Sequence, residues 1–301
     1  MCAICGCSDH EGFTVTHPEH SHDNAHTHEH EHEHEHEHHE HAHAQWHPHE
    51  HSHSHSHEHS DGQPHSHGVT ISLEQAVMAK NDRAAQSNRL WLEERGIFAL
   101  NLVSAPGAGK TTLLERTLGD LGQDLSITVV EGDQETQLDA QRIQATGCRA
   151  VQINTGAGCH LDSEMVAKGL QALRPALNSI VMIENVGNLV CPALFDLGEN
   201  ARVALLSVTE GEDKPLKYPQ MFRSSQLMLL NKIDLLPHIR FSVDQCIEYA
   251  HRVNPSLLVM QVSATTGAGM AAWYQWLRQH AKAARLASTI RARGVDQASA
   301  Q

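Results

Sequence analysis

Hydrophobic and polar positions divide the chain into two parts of different character. Between 17 and 67 there is almost nothing apolar, and histidines alternate with Glu, Ser or Ala. The alternation has period two, but no apolar face accompanies it, so it does not predict a strand. A segment with so little to bury cannot repay the entropy of ordering and is expected to be disordered. Order is expected from about Ser72. Ser72-Leu-Glu-Gln75 fits a capping box and opens a helical pattern that runs to about Glu94 and stops at Gly96. Short apolar runs follow at 97–103, 126–131, 149–153, 178–184, 202–209, 227–232 and 257–263. Helical patterns lie between most of them, as at 110–121, 161–174, 242–252 and 268–283. This alternation predicts an α/β fold, a mostly parallel sheet covered on both faces. The expected organisation is a cysteine-bearing head (1–16), the histidine tract (17–68), one α/β domain (69–285) and a frayed tail (286–301).

Charge sharpens this division. The 301 residues carry 22 Lys+Arg and 36 Asp+Glu, a formal charge of −14. Residues 1–79 hold 14 of the acids and no base, which leaves 22 acids (36 − 14) against 22 bases in the rest. A balanced body has no basic field for nucleic acid. No apolar run is long enough to span a membrane, and no basic and apolar leader marks the chain for export. The seven cysteines (2, 5, 7, 148, 159, 191 and 246) are then expected in the reducing cytoplasm, as thiols or metal ligands. Cys148 and Cys246, set among apolar neighbours, read as plain core thiols.

The run Leu100-Asn-Leu-Val-Ser104 reads as a buried strand. It leads through Ala-Pro-Gly107-Ala108-Gly109 into Lys110-Thr111-Thr112 and a helix. This is the strand–loop–helix setting of a P-loop. Gly107, Ala108 and Gly109 turn backbone N–H groups toward phosphate oxygens. Lys110 offers charge to the β- and γ-phosphates, Thr111 a hydroxyl to Mg2+, and Thr112 a contact to the α-phosphate. The usual first glycine is Ser104 here, a position that a small residue can hold. Downstream, Asn231-Lys232-Ile-Asp234 closes another apolar run. A carboxylate at Asp234 can accept both N1–H and N2–H of guanine, which adenine cannot offer, so GTP is expected over ATP. Lys232 can lie over the base, Asn231 can brace the loop, and Ser263 and Ala264 end the next strand beside the base edge.

Two acidic strand ends remain for Mg2+ and water. Glu184-x-x-Gly187 resembles a D-x-x-G switch with Glu in place of Asp. Asp133, in Glu131-Gly-Asp133, is the candidate for orienting water or holding Mg2+ through water. Glu131 reads equally as a solvated strand end. No glutamine or arginine stands in an evident catalytic position, so intrinsic hydrolysis is expected to be slow.

Three groups of residues suit transition metals. Cys2, Cys5 and Cys7 place three thiolates close enough for one Ni2+ or Zn2+, unless the head is merely unstructured. Cys159-His160 and Cys191 lie in loops that can converge at one end of a sheet. They read either as shared metal ligands or as buried cysteines with a capping histidine. The tract's neutral imidazoles can bind several Ni2+, Cu2+ or Zn2+ ions.

Several runs together resemble one family: S-A-P-G-A-G-K-T-T-L-L, E-G-D-Q-x-T-x-x-D-A-x-R-I (131–143), N-T-G-x-G-C-H-L-D (154–162), I-E-N-V-G-N-L-V-C-P (183–192) and N-K-I-D-L-L-P (231–237). Over roughly 70–283 the chain resembles the HypB family of hydrogenase nickel-incorporation GTPases, of the SIMIBI class. The resemblance implies a GTP-dependent homodimer that inserts nickel into a hydrogenase large-subunit precursor with a small metallochaperone, HypA. It also implies that Cys159, His160 and Cys191 are interface metal ligands, and that the cysteine head is a nickel site. Two other readings stand beside it: a nickel storage protein with an incidental GTPase, and a GTPase chaperone for another nickel enzyme such as urease.

Overall fold

The computed structural model describes residues 14–16, 67–134, 138–156 and 158–299. Cys2, Cys5, Cys7 and the histidine tract up to residue 66 lie outside the described residues. The first half of the fold comprises β1 (Thr14–Thr16), α1 (His67–Glu94), β2 (Phe98–Ser104), α2 (Lys110–Leu121), β3 (Ile127–Asp133), α3 (Leu138–Ala145), β4 (Arg149–Asn154) and α4 (Ser163–Leu173). The second half comprises β5 (Ile180–Glu184), α5 (Cys191–Leu194), β6 (Ala201–Ser207), α6 (Lys214–Lys217), α7 (Pro219–Arg223), β7 (Leu227–Asn231), α8 (Val243–Val253), β8 (Leu258–Gln261) and α9 (Met270–Ser299). A 3-10 turn, Ile233–His238, follows β7.

The strands form one sheet in the order β1-β4-β3-β5-β2-β6-β7-β8. Seven are parallel, and the short β1 joins the β4 edge antiparallel, with Val15 opposite Ile153. The central strands are buried on both faces, as parallel strands under helices must be. Their side chains divide with period two. Leu100, Leu102, Val129, Met182, Val203, Leu205 and Leu229 pack with Leu113, Leu114 and Leu118 of α2 and Trp273 of α9. On the other face, Ala99, Val130, Val181 and Ile183 meet Leu92 of α1 and Val166 and Leu170 of α4. Leu206, Met228 and Leu230 meet Phe222 of α7 and Cys246 of α8. Cys246 is thus a core thiol, pushed by burial up to about 12; Cys148 is half-buried, with its thiol raised to about 11.

The structure differs from expectation at three places. Helix α1 begins at His67, so Ser72 lies inside it rather than at its cap. The expected frayed tail is instead the continuation of α9 to Ser299. Its Ala, Leu and Arg favour helix, and its Ser288 hydroxyl and Arg291 hold the Glu94 carbonyl and the Glu93 carboxylate at the end of α1. Strand β1 was not expected, since three residues carry no legible period. Among the described residues no helix is long and apolar enough to cross a membrane.

Because the strands are parallel, their carboxyl ends lie along one rim. Ser104, Asp133, Asn154, Glu184, Ser207 and Asn231 all end strands there. In open α/β sheets this rim is where ligands bind.

Candidate functional site

The loop between β2 and α2 has the form that phosphate binding requires. Gly109 caps α2 with φ 100°. A Cβ there would stand 2.7 Å from Asn231 Nδ2, so both backbone and space demand glycine. Lys110 is buried, and its Nζ donates to Ser104 Oγ at 3.0 Å. Burial holds this ammonium below the ordinary lysine value, while the Glu184 charge works against that. The serine that replaces the usual glycine thus holds the phosphate-loop lysine in place, a role that the motif alone did not reveal.

Thr111 Oγ1 donates to Glu184 Oε1 at 2.9 Å. The second oxygen, Glu184 Oε2, is buried without a hydrogen-bond partner among the described residues. Burial raises this carboxyl to about 7, opposed by Lys110 and the Thr111 hydroxyl. A hydroxyl and a half-satisfied carboxylate at the mouth of a phosphate loop suit a hard divalent cation. Asp133, at the end of β3, accepts the Gln134 amide at 2.7 Å. Thr112 Oγ1 accepts a weak bond of 3.4 Å from Arg142, which Glu115 and Asp139 hold by ion pairs.

Glu131 is not the solvated strand end that was one of its readings. It is 2% exposed, stands opposite Glu184 in the sheet register, and leaves Oε2 without a hydrogen-bond partner among the described residues. Burial, aided by Glu184 and Asp133, raises its carboxyl to about 9. The unfolded side chain releases its proton near 4.5 and the folded one near 9, so the folded state binds more protons in between. Stability contributed by this protonated acid therefore falls as pH rises from about 4.5 to 9. Glu131→Gln should remove that slope. Its urea midpoint should exceed that of the wild type more at pH 8 than at pH 5.5; parallel midpoints at the two pH values would contradict the assignment.

The base-side residues are joined to the phosphate loop. Asn231 Nδ2 donates to the Ala108 carbonyl at 3.0 Å, and its Oδ1 accepts the Ala264 amide at 3.3 Å. Lys232, at φ 63°, sends its Nζ to the Gly107 carbonyl at 2.7 Å. Ser263 is fully buried and its hydroxyl accepts the Thr266 amide. Asp234 Oδ1 is buried without a hydrogen-bond partner among the described residues. An unmet carboxylate costs free energy unless a donor arrives, and guanine brings two.

Cys159, His160 and Cys191 converge. Their ligand atoms lie within 4.8 Å of one another. Cys159 Sγ stands 3.6 Å from His160 Nδ1, and the His160 ring packs on Phe195 with centroids 4.0 Å apart. Burial lowers His160 to about 4, so its ring is neutral at ordinary pH, the form that binds metals. Cys191 opens α5, where Asn188 Oδ1 accepts the Val190 and Cys191 amides.

The two sites share structure. Gly187 lies against Pro106 of the phosphate loop, where a Cβ would meet Pro106 Cα at 3.0 Å. Asn185, next to Glu184, accepts the Leu161 amide at 3.1 Å and donates to Asn101 Oδ1 at 3.2 Å. Asn101 in turn donates to Glu199, which is paired with buried Arg202. Arg202 donates to the Ala193 and Phe195 carbonyls beside Cys191. Sequence reasoning missed Asn101, Asn185, Glu199 and Arg202. The one signal was Asn101, a polar residue inside an apolar run.

The family model for the CobW/HypB/UreG nucleotide-binding domain matches residues 98–261. A hydrogenase maturation factor HypB from Azotobacter chroococcum is 50% identical over 294 residues, 96% of this chain and 95% of that protein. The crystal structure of HypB from Archaeoglobus fulgidus superposes with a TM-score of 0.64 at 38% identity, over 67% of this chain and 99% of that one. HypB from Helicobacter pylori, crystallised in complex with nickel, superposes with 0.63 at 36% identity, over 67% and 95%.

Proposed function

This chain belongs to the HypB family of hydrogenase maturation factors, in the SIMIBI class of P-loop GTPases, and from that premise we propose that it is a GTP-hydrolysing metallochaperone delivering nickel during maturation of nickel–iron hydrogenase. The observation that carries this reading is one short loop. It begins at Glu184, which accepts the Thr111 hydroxyl, touches the phosphate loop at Gly187, and ends at Cys191 in the thiol–imidazole cluster. A segment that meets the nucleotide at one end holds a metal ligand at the other.

In this reading the amides of Gly107, Ala108 and Gly109 cradle the phosphates. Lys110 neutralises charge on them, and Thr112 meets the α-phosphate. Asp234 takes the guanine N1–H and N2–H, Lys232 covers the base, and Asn231 with Ser263 and Ala264 fixes its pocket. Thr111 and Glu184 would hold Mg2+, with Asp133 acting through water; the ion supplies charge neutralisation on the phosphates. Asp133 orients the attacking water, and turnover is slow. Nickel is the cargo: Cys159, His160 and Cys191 bind it, or Zn2+ in its place. The head (1–16), through Cys2, Cys5 and Cys7, and the tract (17–68) collect and store it for the body that begins near 69.

The loop changes with the nucleotide, so metal affinity and homodimer formation follow its state. HypA and the hydrogenase large-subunit precursor receive or supply the metal. The histidine tract also favours a second reading, in which storage is the main task. A host that carries the hydrogenase but lacks its own copy of this maturation factor, complemented with variants, separates the two. Deleting 17–67 should lower maturation mainly when nickel is scarce, and Lys110→Ala should abolish it at every nickel level. Maturation that survives Lys110→Ala, or that fails at all nickel levels without the tract, would favour storage.

A further inference from the structure

Helix α1 presents an unusual buried stripe. Positions 81, 85, 88 and 92 share one face, and all four are buried, yet two of them are asparagines. Asparagine is a poor residue for a helix interior, and a buried amide costs free energy unless bonded. Both amides are bonded to the two segments that carry the metal-ligand cluster.

Asn81 Oδ1 accepts the Ser163 amide at 3.0 Å, and Asn81 Nδ2 donates to the Asp196 carbonyl at 2.8 Å. The Asn81 carbonyl accepts the Ser163 hydroxyl at 2.8 Å. Asn88 Nδ2 donates to the carbonyls of Ser163 at 2.8 Å and Leu197 at 3.0 Å. Arg89 adds a forked pair to Asp196 at 2.7 and 2.8 Å. Gly198, at φ 87°, presses so close that a Cβ would stand 2.4 Å from the Ala85 carbonyl. Ser163 is three positions beyond His160. Asp196 directly follows Phe195, the ring on which His160 packs.

We propose that α1 is a positioning strap for the metal centre, with Asn81 and Asn88 pinning the segment after Cys159-His160 to the segment after Cys191. The inference rests on the metal-binding reading given above and deepens it. Among the described residues the hydrogen bonds of both asparagines go to Ser163, Asp196 and Leu197, none of them in the phosphate loop or the base pocket. The strap fixes the distance between the two ligand-bearing segments by hydrogen bonds to their backbones. Outer groups of this kind change metal affinity by about 10- to 100-fold.

The test uses the full chain with Cys2, Cys5 and Cys7 changed to Ser, so that thiolate-to-nickel absorption reports the interior cysteines. The histidines of the tract give no such band, and Cys191→Ala supplies the baseline. Asn88→Ala should weaken nickel binding at this band at least tenfold, measured against a competing chelator. It should also speed maleimide alkylation of Cys159 and Cys191 in the metal-free protein, with GDP affinity unchanged. Unaltered nickel affinity and alkylation in a variant that still binds GDP would overturn the proposal. If Asn88→Ala does not fold, Asp196→Arg acts on the outer half of the strap. It should show the same two effects, and Arg89→Asp in the same chain should reverse them; absence of both effects overturns the proposal equally. A wild-type chain with no Cys191-dependent band would remove the metal-binding reading instead, and the alkylation rates would then judge the strap alone.

Discussion

Lys110→Ala should lower single-turnover GTP hydrolysis by about 10²- to 10³-fold, or about 2.7–4 kcal/mol of transition-state stabilisation. The reason is the setting of the ammonium. It is buried at the head of α2, held by Ser104 Oγ at 3.0 Å, and carried below its ordinary value by that burial. A charge in such a site interacts strongly with phosphate because little water screens it. The same burial makes the nucleotide-free state pay to hold the charge, so Lys110→Ala should not destabilise the empty protein. Lys110→Arg should rescue little, since a planar fork does not fit the space of a point charge. Phosphate release with enzyme in excess over GTP, read beside the urea midpoint, checks both halves. Hydrolysis within tenfold of wild type would remove Lys110 from the mechanism.

Cys191→Ala should cost more than about 100-fold in nickel affinity at the interior site, beyond the effect of an outer partner. Cys191 is 2% exposed, and its sulfur lies within 4.8 Å of the other two ligand atoms. Removing the sulfur leaves two ligands and a small cavity, whose stability cost is on the order of 1 kcal/mol. GTP hydrolysis in the absence of nickel should persist, because the Lys110–Ser104 and Thr111–Glu184 hydrogen bonds do not involve Cys191. What should vanish is any influence of nickel on nucleotide affinity, since that influence is the reciprocal of the nucleotide's effect on nickel. Competition with a chelator and GDP titration in the presence and absence of nickel measure the two sides. Wild-type nickel dependence in Cys191→Ala would show that the coupling runs through other residues.

Much of this architecture was legible in the amino-acid pattern. The mostly apolar runs over 100–104 and 227–231 announce buried strands, because parallel strands covered on both faces are largely apolar rather than alternating. The phosphate loop and Asn231-Lys232-Ile-Asp234 are local motifs whose spacing carries their chemistry. The edge strand β1 was not legible, because it has three residues and depends on β4 for its pairing. The start of α1 was misread at Ser72, because a capping box is a local preference that the longer helix overrides. The convergence of Cys159, His160 and Cys191 follows from parallel topology, which brings the ends of β4 and β5 to one rim. Spacing alone left those residues open to a plain core reading. The polar links through Asn81, Asn88, Asn101 and Asn185 had no signal of comparable strength. Each is one amide whose partners lie far along the chain, and only the packed structure assigns them.

Nucleotide state and metal affinity should be coupled through the loop from Glu184 to Cys191. The most direct measurement is a nickel titration of the full chain with Cys2, Cys5 and Cys7 changed to Ser, followed by thiolate absorption. It is run once with GDP and once with a non-hydrolysable GTP analogue, with dimer fraction recorded at each point. Affinity and dimer fraction should differ between the two nucleotides, and the difference should disappear in Cys191→Ala. Identical nickel affinity and identical dimer fraction with both nucleotides would contradict that coupling.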